Sequence, residues 1–433
     1  MQVLIYGLFA SLFVLPYLST LGLVPRQVTW LMDLISAAVL MVVILRLTAR
    51  KPVSIGIIYW PVLILICLNM TFGVVLNAVS PGTLFAALRD NFKFLPLFFL
   101  PVFYSFSQAQ LHKQLLLLLG LTLMQLPVAL YQRLFQFSDL LTGDVVTGTL
   151  KGSGVLTIYL LAAVSLLTGF YIRKRLSAPF YYVALAAIFL PTTINETKVT
   201  VFVLPIALIV PILFMEGGRG KVRRLLGVLL LGAGLLAVFV PIYDHFMEER
   251  RPDEGLQDFL TEEGRLEGYL KSTGRAQTPF VLWSVDPTKF MLGLGIGNVS
   301  ESFLGPRFTG EYFREYGELA RTTLNHWQLE IGLLGVILML VFFSLVFRDT
   351  LYLKRGNDLT AAFALGWIGV MAVLTMSLVY DKSVRSDEVG YLLWYFSGCV
   401  AATAARRRRE EKIEGKAKDT EIFRDGELEN RDL

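Results

Sequence analysis

Apolar runs of bilayer-spanning length follow one another along almost the whole of this chain. An α-helix needs about 20 such residues to cross the hydrocarbon layer. Lipid offers no water to satisfy backbone N–H and C=O groups, so a succession of such runs folds as a bundle of helices. Hydropathy predicts twelve spans, near 2–24, 28–48, 54–78, 84–106, 114–137, 153–172, 178–194, 198–215, 224–243, 326–347, 359–380 and 389–405. The first has no basic leader and no small-residue cleavage site, and reads as a retained helix. With 55% hydrophobic and 17% charged residues, a soluble enzyme is excluded. The expected fold is all-α: a polytopic membrane protein with twelve transmembrane helices and one large, partly helical external loop.

Lys and Arg collect in every second connection. "RLTARK", "LHKQ", "RKRLS", "EGGRGKVRR", "RDTLYLKRGND" and "RRRR" alternate with the basic-poor "VPRQ", "NAVSPGT", "TINETK" and "DKSVRSDE". The positive-inside rule then places both termini in the cytoplasm. "RRRR", directly after a span, reads as an anchor on anionic lipid rather than a nucleic-acid patch. The expected divisions are 1–243 with nine helices, 244–325 as the external loop, 326–405 with three helices, and a charged, disordered tail at 406–433. A loop of roughly eighty residues is far beyond ordinary length and points to function. Its amphipathic stretches "LQDFLTEEGRLEGYL" and "FVLWSV" predict folded helical structure. Cys67 and Cys399 fall in spans and have no metal-site or disulfide spacing.

Within "ALRDNFKFLP", Arg89 and Lys93 stand one helical turn apart at the head of an apolar run. A charge at a helix centre costs about 2.5–3.5 kcal/mol on insertion scales, and like charges at i and i+4 repel. Something negative must offset this. Lys198, Arg275, Arg321 and His326 lie on the same outer side. Snorkelling of single residues explains each alone, but together, beside the large loop, they point to a shared anionic ligand. A diphosphate suits them, since Arg offers a fork of donors and Lys a compact charge. For proton transfer, His326 is the one outer histidine near an interface, as His112 is cytoplasmic and His245 begins the loop. Glu196 and Glu330 flank outer span ends, and Asp90 sits beside Arg89. "GLGIGN", at 293–298, has the wrong spacing for a nucleotide fingerprint and reads as a glycine-permitted turn. No Walker A, HExxH or nucleophile-elbow pattern occurs, so neither a metal nor a nucleotide cofactor is expected.

Taken in order, "STGRAQTPFVLWSVDPTKFMLGLGIGNVSESF" and "TTLNHWQLEIGLLGVILML" resemble the O-antigen polymerase/ligase superfamily. The matching residues are Gly274-Arg275, Trp283, Pro287, Gly293 through Asn298, and Glu330, Gly332 and Gly335. The resemblance implies an integral-membrane, metal-independent glycosyltransferase of the C-type architecture, working at the outer face of the bacterial cytoplasmic membrane. Its donor would be a polyprenyl-diphosphate-linked oligosaccharide, its partners a glycan acceptor, the lipid bilayer and a chain-length regulator, with no nucleic acid. Arg89, Lys93 and Arg275, with Lys198 and Arg321, would grip the diphosphate. His326 or Glu196 would assist deprotonation, and Arg275 would serve in both roles. Ligases of the family carry a His-Asn pair about nine residues before the Glu of "ExGxxG". Here that position is Arg321, and the nearest histidine, His326, lies five residues later. This favours a polysaccharide polymerase over an O-antigen ligase that transfers glycan to lipid A-core. A transporter or lipid-linked-oligosaccharide flippase is the expectation from another class.

Overall fold

The computed structural model describes residues 1–49, 53–104, 106–138, 143–216, 219–248, 286–302 and 304–429, with side chains at all of these except 26, 92, 219, 224, 242–248 and 415–429. Among the described residues, eight helices are long and apolar enough to cross a membrane, and there are no strands. The chain is an all-α polytopic membrane protein. In chain order its helices are α1 (Gln2–Thr20), α2 (Leu31–Thr48), α3 (Tyr59–Leu76), α4 (Pro81–Phe92), α5 (Leu95–Phe103), α6 (Gln108–Leu123) and α7 (Gln125–Tyr131). There follow α8 (Ser153–Ile172), α9 (Ala178–Ile194), α10 (Val199–Leu213), α11 (Arg219–Glu248), α12 (Pro287–Leu292), α13 (Phe313–Tyr316), α14 (Thr323–Leu353), α15 (Leu359–Tyr380) and α16 (Asp387–Glu429).

Three predicted elements differ from expectation. The run 84–106 is two short helices, α4 and α5, rather than one. Pro96 has no N–H to donate, and its ring would clash with the carbonyl four residues back, so the helix stops at Phe92 and restarts. α11 runs through Glu248, into the stretch expected to be loop. The tail expected to be disordered continues α16 as helix to Glu429. Its sequence, "REEKIEGKAKDTEIF", is rich in Lys and Glu, which favour helix, and in oppositely charged neighbours one turn apart.

Lipid-exposed apolar surface supplies no drive for helices to associate, so close backbone approach must. α15 packs on α8 where Gly169 faces Gly366: a Cβ on Gly169 would lie 2.3 Å from the Gly366 nitrogen. α16 approaches α5 in the same way, since a Cβ on Gly398 would meet the Phe98 carbonyl at 2.1 Å. The buried Tyr59, Phe98 and Phe342 and the half-buried Trp394 fill the space between α3, α5, α14 and α16.

Hydrogen bonds tie alternate connections to one another. At one end Arg409 donates to the Val53 carbonyl (2.9 Å), Arg407 to that of Arg355 (3.3 Å), and Gln108 to the Asp358 carboxylate (3.0 Å). Arg173 and Arg175 reach the carbonyls of Lys354 and Asn357 there. Arg408 pairs with the fully buried Asp349 at 2.7 Å, so "RRRR" binds the protein's own acceptors. At the other end Thr323 donates to the Asp381 carbonyl, Asn195 to that of Ser153, and Asn77 to that of Gly293. The basic connections thus gather at one end and the basic-poor ones at the other.

α14 is broken at Gly332, whose φ of 69° and ψ of −179° lie in a region open essentially to glycine alone. The break frees carbonyls that the glycine turn satisfies: Leu294 N–H donates to Leu329 (2.7 Å) and Gly295 N–H to Glu330 (3.1 Å). Asn69 donates to the Ile331 carbonyl at 2.8 Å. Gly293, Gly295 and Gly297 all have positive φ, which lets the turn lie flat against α14, α3 and α4. Gly332→Ala would place a Cβ 2.3 Å from the Met291 carbonyl as well as straining the backbone. It should destabilise the protein by at least about 1–3 kcal/mol, the range for such strain alone, seen as a lower thermal midpoint in detergent. Gly120→Ala, with open space around it in α6, should leave that midpoint unchanged or raise it.

Candidate functional site

The break in α14 fixes a cluster of polar side chains at the basic-poor end of the bundle. Thr322 caps α14, its hydroxyl accepting from the Asn325 N–H at 3.1 Å. One turn further in, His326 Nε2 lies 3.0 Å from Glu330 Oε1, and both side chains are buried. Ser300, just beyond the glycine turn, donates to Glu330 Oε1 at 2.7 Å and lies 3.1 Å from His326 Nε2. With the carboxylate facing Nε2, that nitrogen carries the proton, and Nδ1 is the buried lone-pair nitrogen without a hydrogen-bond partner among the described residues.

The second contribution comes from the 381–386 connection. Asp381 accepts from the Ser383 N–H at 2.9 Å and from its hydroxyl, turning the chain so that the 3₁₀ turn Ser383–Arg385 points Arg385 inward. Arg385 donates to Asn91 Oδ1 of α4 at 3.2 Å, and its Nε is buried without a partner among the described residues. No carboxylate lies within ion-pair distance of it among the described residues. Burial pulls the guanidinium pKa down, against the attraction of Glu330 and Asp90. Lys382 beside it is exposed, so water shields its charge. Arg385 is thus the cation that the described residues leave without a paired carboxylate.

These groups open onto a cavity of about 390 Å³ between α3, α5, α14 and α16. Its polar wall is Asn91, Glu330 and Arg385, while Trp60, Phe99, Trp327, Phe343 and Trp394 line the body. Ile64, Cys67 and Leu68 line it too and are exposed, so one side faces the bilayer. A compartment with a cationic head and an apolar body, reached from lipid, fits an amphiphile with an anionic head group.

The residues singled out from sequence fall in several places. Arg89 donates twice to one oxygen of Asp33 (2.9 and 2.6 Å), about a quarter of its side chain is exposed (26%), and it does not line the cavity. Lys93 pairs with Asp387, which also accepts from Lys151 at 2.5 Å. At Lys151 burial opposes the charge, but Asp387 and Glu388 outweigh it and the pKa is raised. The negative charge that Arg89 and Lys93 require is therefore supplied by the protein's own Asp33 and Asp387. Arg321 is at the surface with Glu318 at 3.4 Å. Glu196 lies at the α9–α10 connection, 3.3 Å from Arg133 and against Gly143. Lys198 precedes α10 as its N-cap residue. Arg275, Gly274, Trp283 and both amphipathic stretches lie outside the described residues. Of the expected catalytic pair, His326 is in the cluster and Glu196 is elsewhere.

Arg385 and Glu388 were not singled out from the sequence. Glu388 is fully buried at the start of α16, and neither carboxyl oxygen has a hydrogen-bond partner among the described residues. The one signal available was two carboxyls and an arginine in "VRSDEVG", at the brink of an apolar run. Among the described residues no group of His, Cys, Asp and Glu has metal-site geometry. No family model and no curated protein matches the chain.

Proposed function

We propose that this protein is a polysaccharide polymerase, in the manner of the O-antigen polymerase/ligase superfamily, acting on polyprenyl-diphosphate-linked glycan at the outer face of the bacterial cytoplasmic membrane. The observation that carries the reading is the cavity with Arg385 and Glu330 on its polar wall and a lipid-facing apolar body. The polyprenyl chain lies in the apolar body, and the diphosphate meets Arg385, with Lys382 adding charge. Arg385 takes the clamp role that the sequence assigned to Arg89 and Lys93. In this reading the eight long helices, the broken α4–α5 pair, α9, α10 and the first half of α16 make twelve crossings. Both termini are then cytoplasmic, and the long connection after α11 is external.

The reaction is a displacement at the anomeric carbon of the donor glycan. A hydroxyl of the acceptor repeat unit forms the new C–O bond, its proton passes to the Glu330 carboxylate, and the bond to diphosphate breaks with both electrons leaving on polyprenyl diphosphate. Charge grows on the diphosphate as that bond breaks, so a cation there lowers the barrier rather than merely tightening binding. Ser300 and the Nε2–H of His326 hold Glu330 toward the cavity as positioning residues.

Purified protein given a synthetic polyprenyl-diphosphate repeat unit alone should yield a ladder of longer glycans. Product formed only when lipid A-core is added would instead make the protein a ligase. Transport of the lipid-linked unit across vesicles with no new glycosidic bond would remove the enzyme reading.

A further inference from the structure

A second cavity, of about 440 Å³, lies between α6, α8, α15 and α16 and shares no lining residue with the first. Its wall follows α15 from Leu359 to Leu374, about 22 Å at 1.5 Å per residue. It is therefore a long slot parallel to the helices, with a volume in the range of ordinary ligand sites. Between its ends the wall is apolar except for the Thr122–Tyr159 hydroxyl pair, at 2.6 Å, and the buried indole N–H of Trp367, which has no hydrogen-bond partner among the described residues.

Its two ends differ in charge. At the basic end stand His112 and Arg175, both exposed. Arg175 gives one N–H to the Asn357 carbonyl, and Asp358, the nearby acid, is taken up in capping α15 and in accepting from Gln108. At the other end the lining stops at Val389 and includes no charged side chain. The lining thus favours an anionic head group at the first end, where His112 and Arg175 stand.

We infer that this slot holds an acyl chain of an anionic phospholipid drawn from the leaflet at the basic end, with its phosphate against Arg175 and His112. The site is independent of the polymerase reading. It uses neither Arg385 nor Glu330, and the head group it takes lies at the opposite end of the bundle. α15 and α16 wall the slot on one side and connect through the Arg385 turn, so a lipid wedged there also braces the site.

Trp367 lines the slot and gives it an optical reporter. Detergent-purified full-length protein is titrated with dibrominated phosphatidylglycerol or dibrominated phosphatidylcholine while tryptophan emission is followed. Trp60, Trp327 and Trp394 line the first cavity and report on lipid there, so the readout is the difference between wild type and Trp367→Phe, in which a saturable component present only in the wild type is expected. The anionic lipid should half-saturate it at about fivefold lower concentration, the preference one cationic contact provides. His112→Ala combined with Arg175→Ala should abolish that preference. Ala162→Phe, which fills the slot with Trp367 still present, should abolish the saturable component and serves if Trp367→Phe does not fold. Quenching that Trp367→Phe or Ala162→Phe leaves unchanged, or equal half-saturation by the two lipids, overturns the proposal.

Discussion

Arg385→Ala should form glycan product at least about 10²-fold more slowly than the wild type, while the protein remains folded and in the membrane. The magnitude is that of removing one preorganised donor from developing negative charge, about 10²–10³ in rate. Two features single out this arginine. Among the described residues its Nε is buried without a partner, and its one side-chain acceptor is the neutral Asn91. An anion arriving in the cavity supplies what the protein withholds. Arg385→Lys keeps the charge but loses the planar fork, so it should recover only part of the rate. Arg89→Ala is the contrast: its pair with Asp33 lies outside the cavity lining and is partly exposed, and such pairs are worth about 0–1 kcal/mol. Rates from purified, monodisperse variants on a synthetic lipid-linked repeat unit decide the matter. If Arg385→Ala works at the wild-type rate and Arg89→Ala does not, the diphosphate lies against Arg89, and Arg385 is not its clamp.

That contrast also marks where the sequence could be read and where it could not. Membrane helices announce themselves through apolar length, and the alternation of Lys and Arg between connections survives as hydrogen bonds that gather the loops into two ends. The glycine turn was legible as a turn because its spacing suits nothing else. Its role was not legible, since only the fold brings Leu294 and Gly295 onto the carbonyls opened at Gly332. The charge argument at Arg89 and Lys93 was sound in form, because both cations do need anions. It could not supply the partners: Asp33 lies 56 residues away, and Asp387 starts a helix near the far end of the chain. Arg385 escaped notice for the converse reason. "DKSVRSDE" looks like a solvated connection with its charges mutually satisfied, and only the packing of α4 and α14 around it isolates the guanidinium from those carboxylates.

Glu330→Gln should lower the rate by about 10²–10⁴, the usual contribution of a positioned general base. The substitution keeps the shape of the side chain and an oxygen to accept the 2.7 Å hydrogen bond from Ser300, so the break in α14 and the docking of the glycine turn should survive. Loss of rate with an unchanged thermal midpoint then reports on proton transfer. His326 tests the division of labour. If it orients Glu330 through the 3.0 Å contact, His326→Gln retains an N–H donor and should lose far less than Glu330→Gln. If His326 is itself the base, through Nδ1, the order reverses and His326→Gln falls by the larger factor. The pH–rate profile separates the cases further, because the limb that follows ionisation of the base disappears only in the variant that removes it. Geometry favours the carboxylate. Glu330 lines the cavity wall beside Arg385, placing base and cation against the same space, whereas His326, buried to the same degree, lies behind it and does not line the cavity.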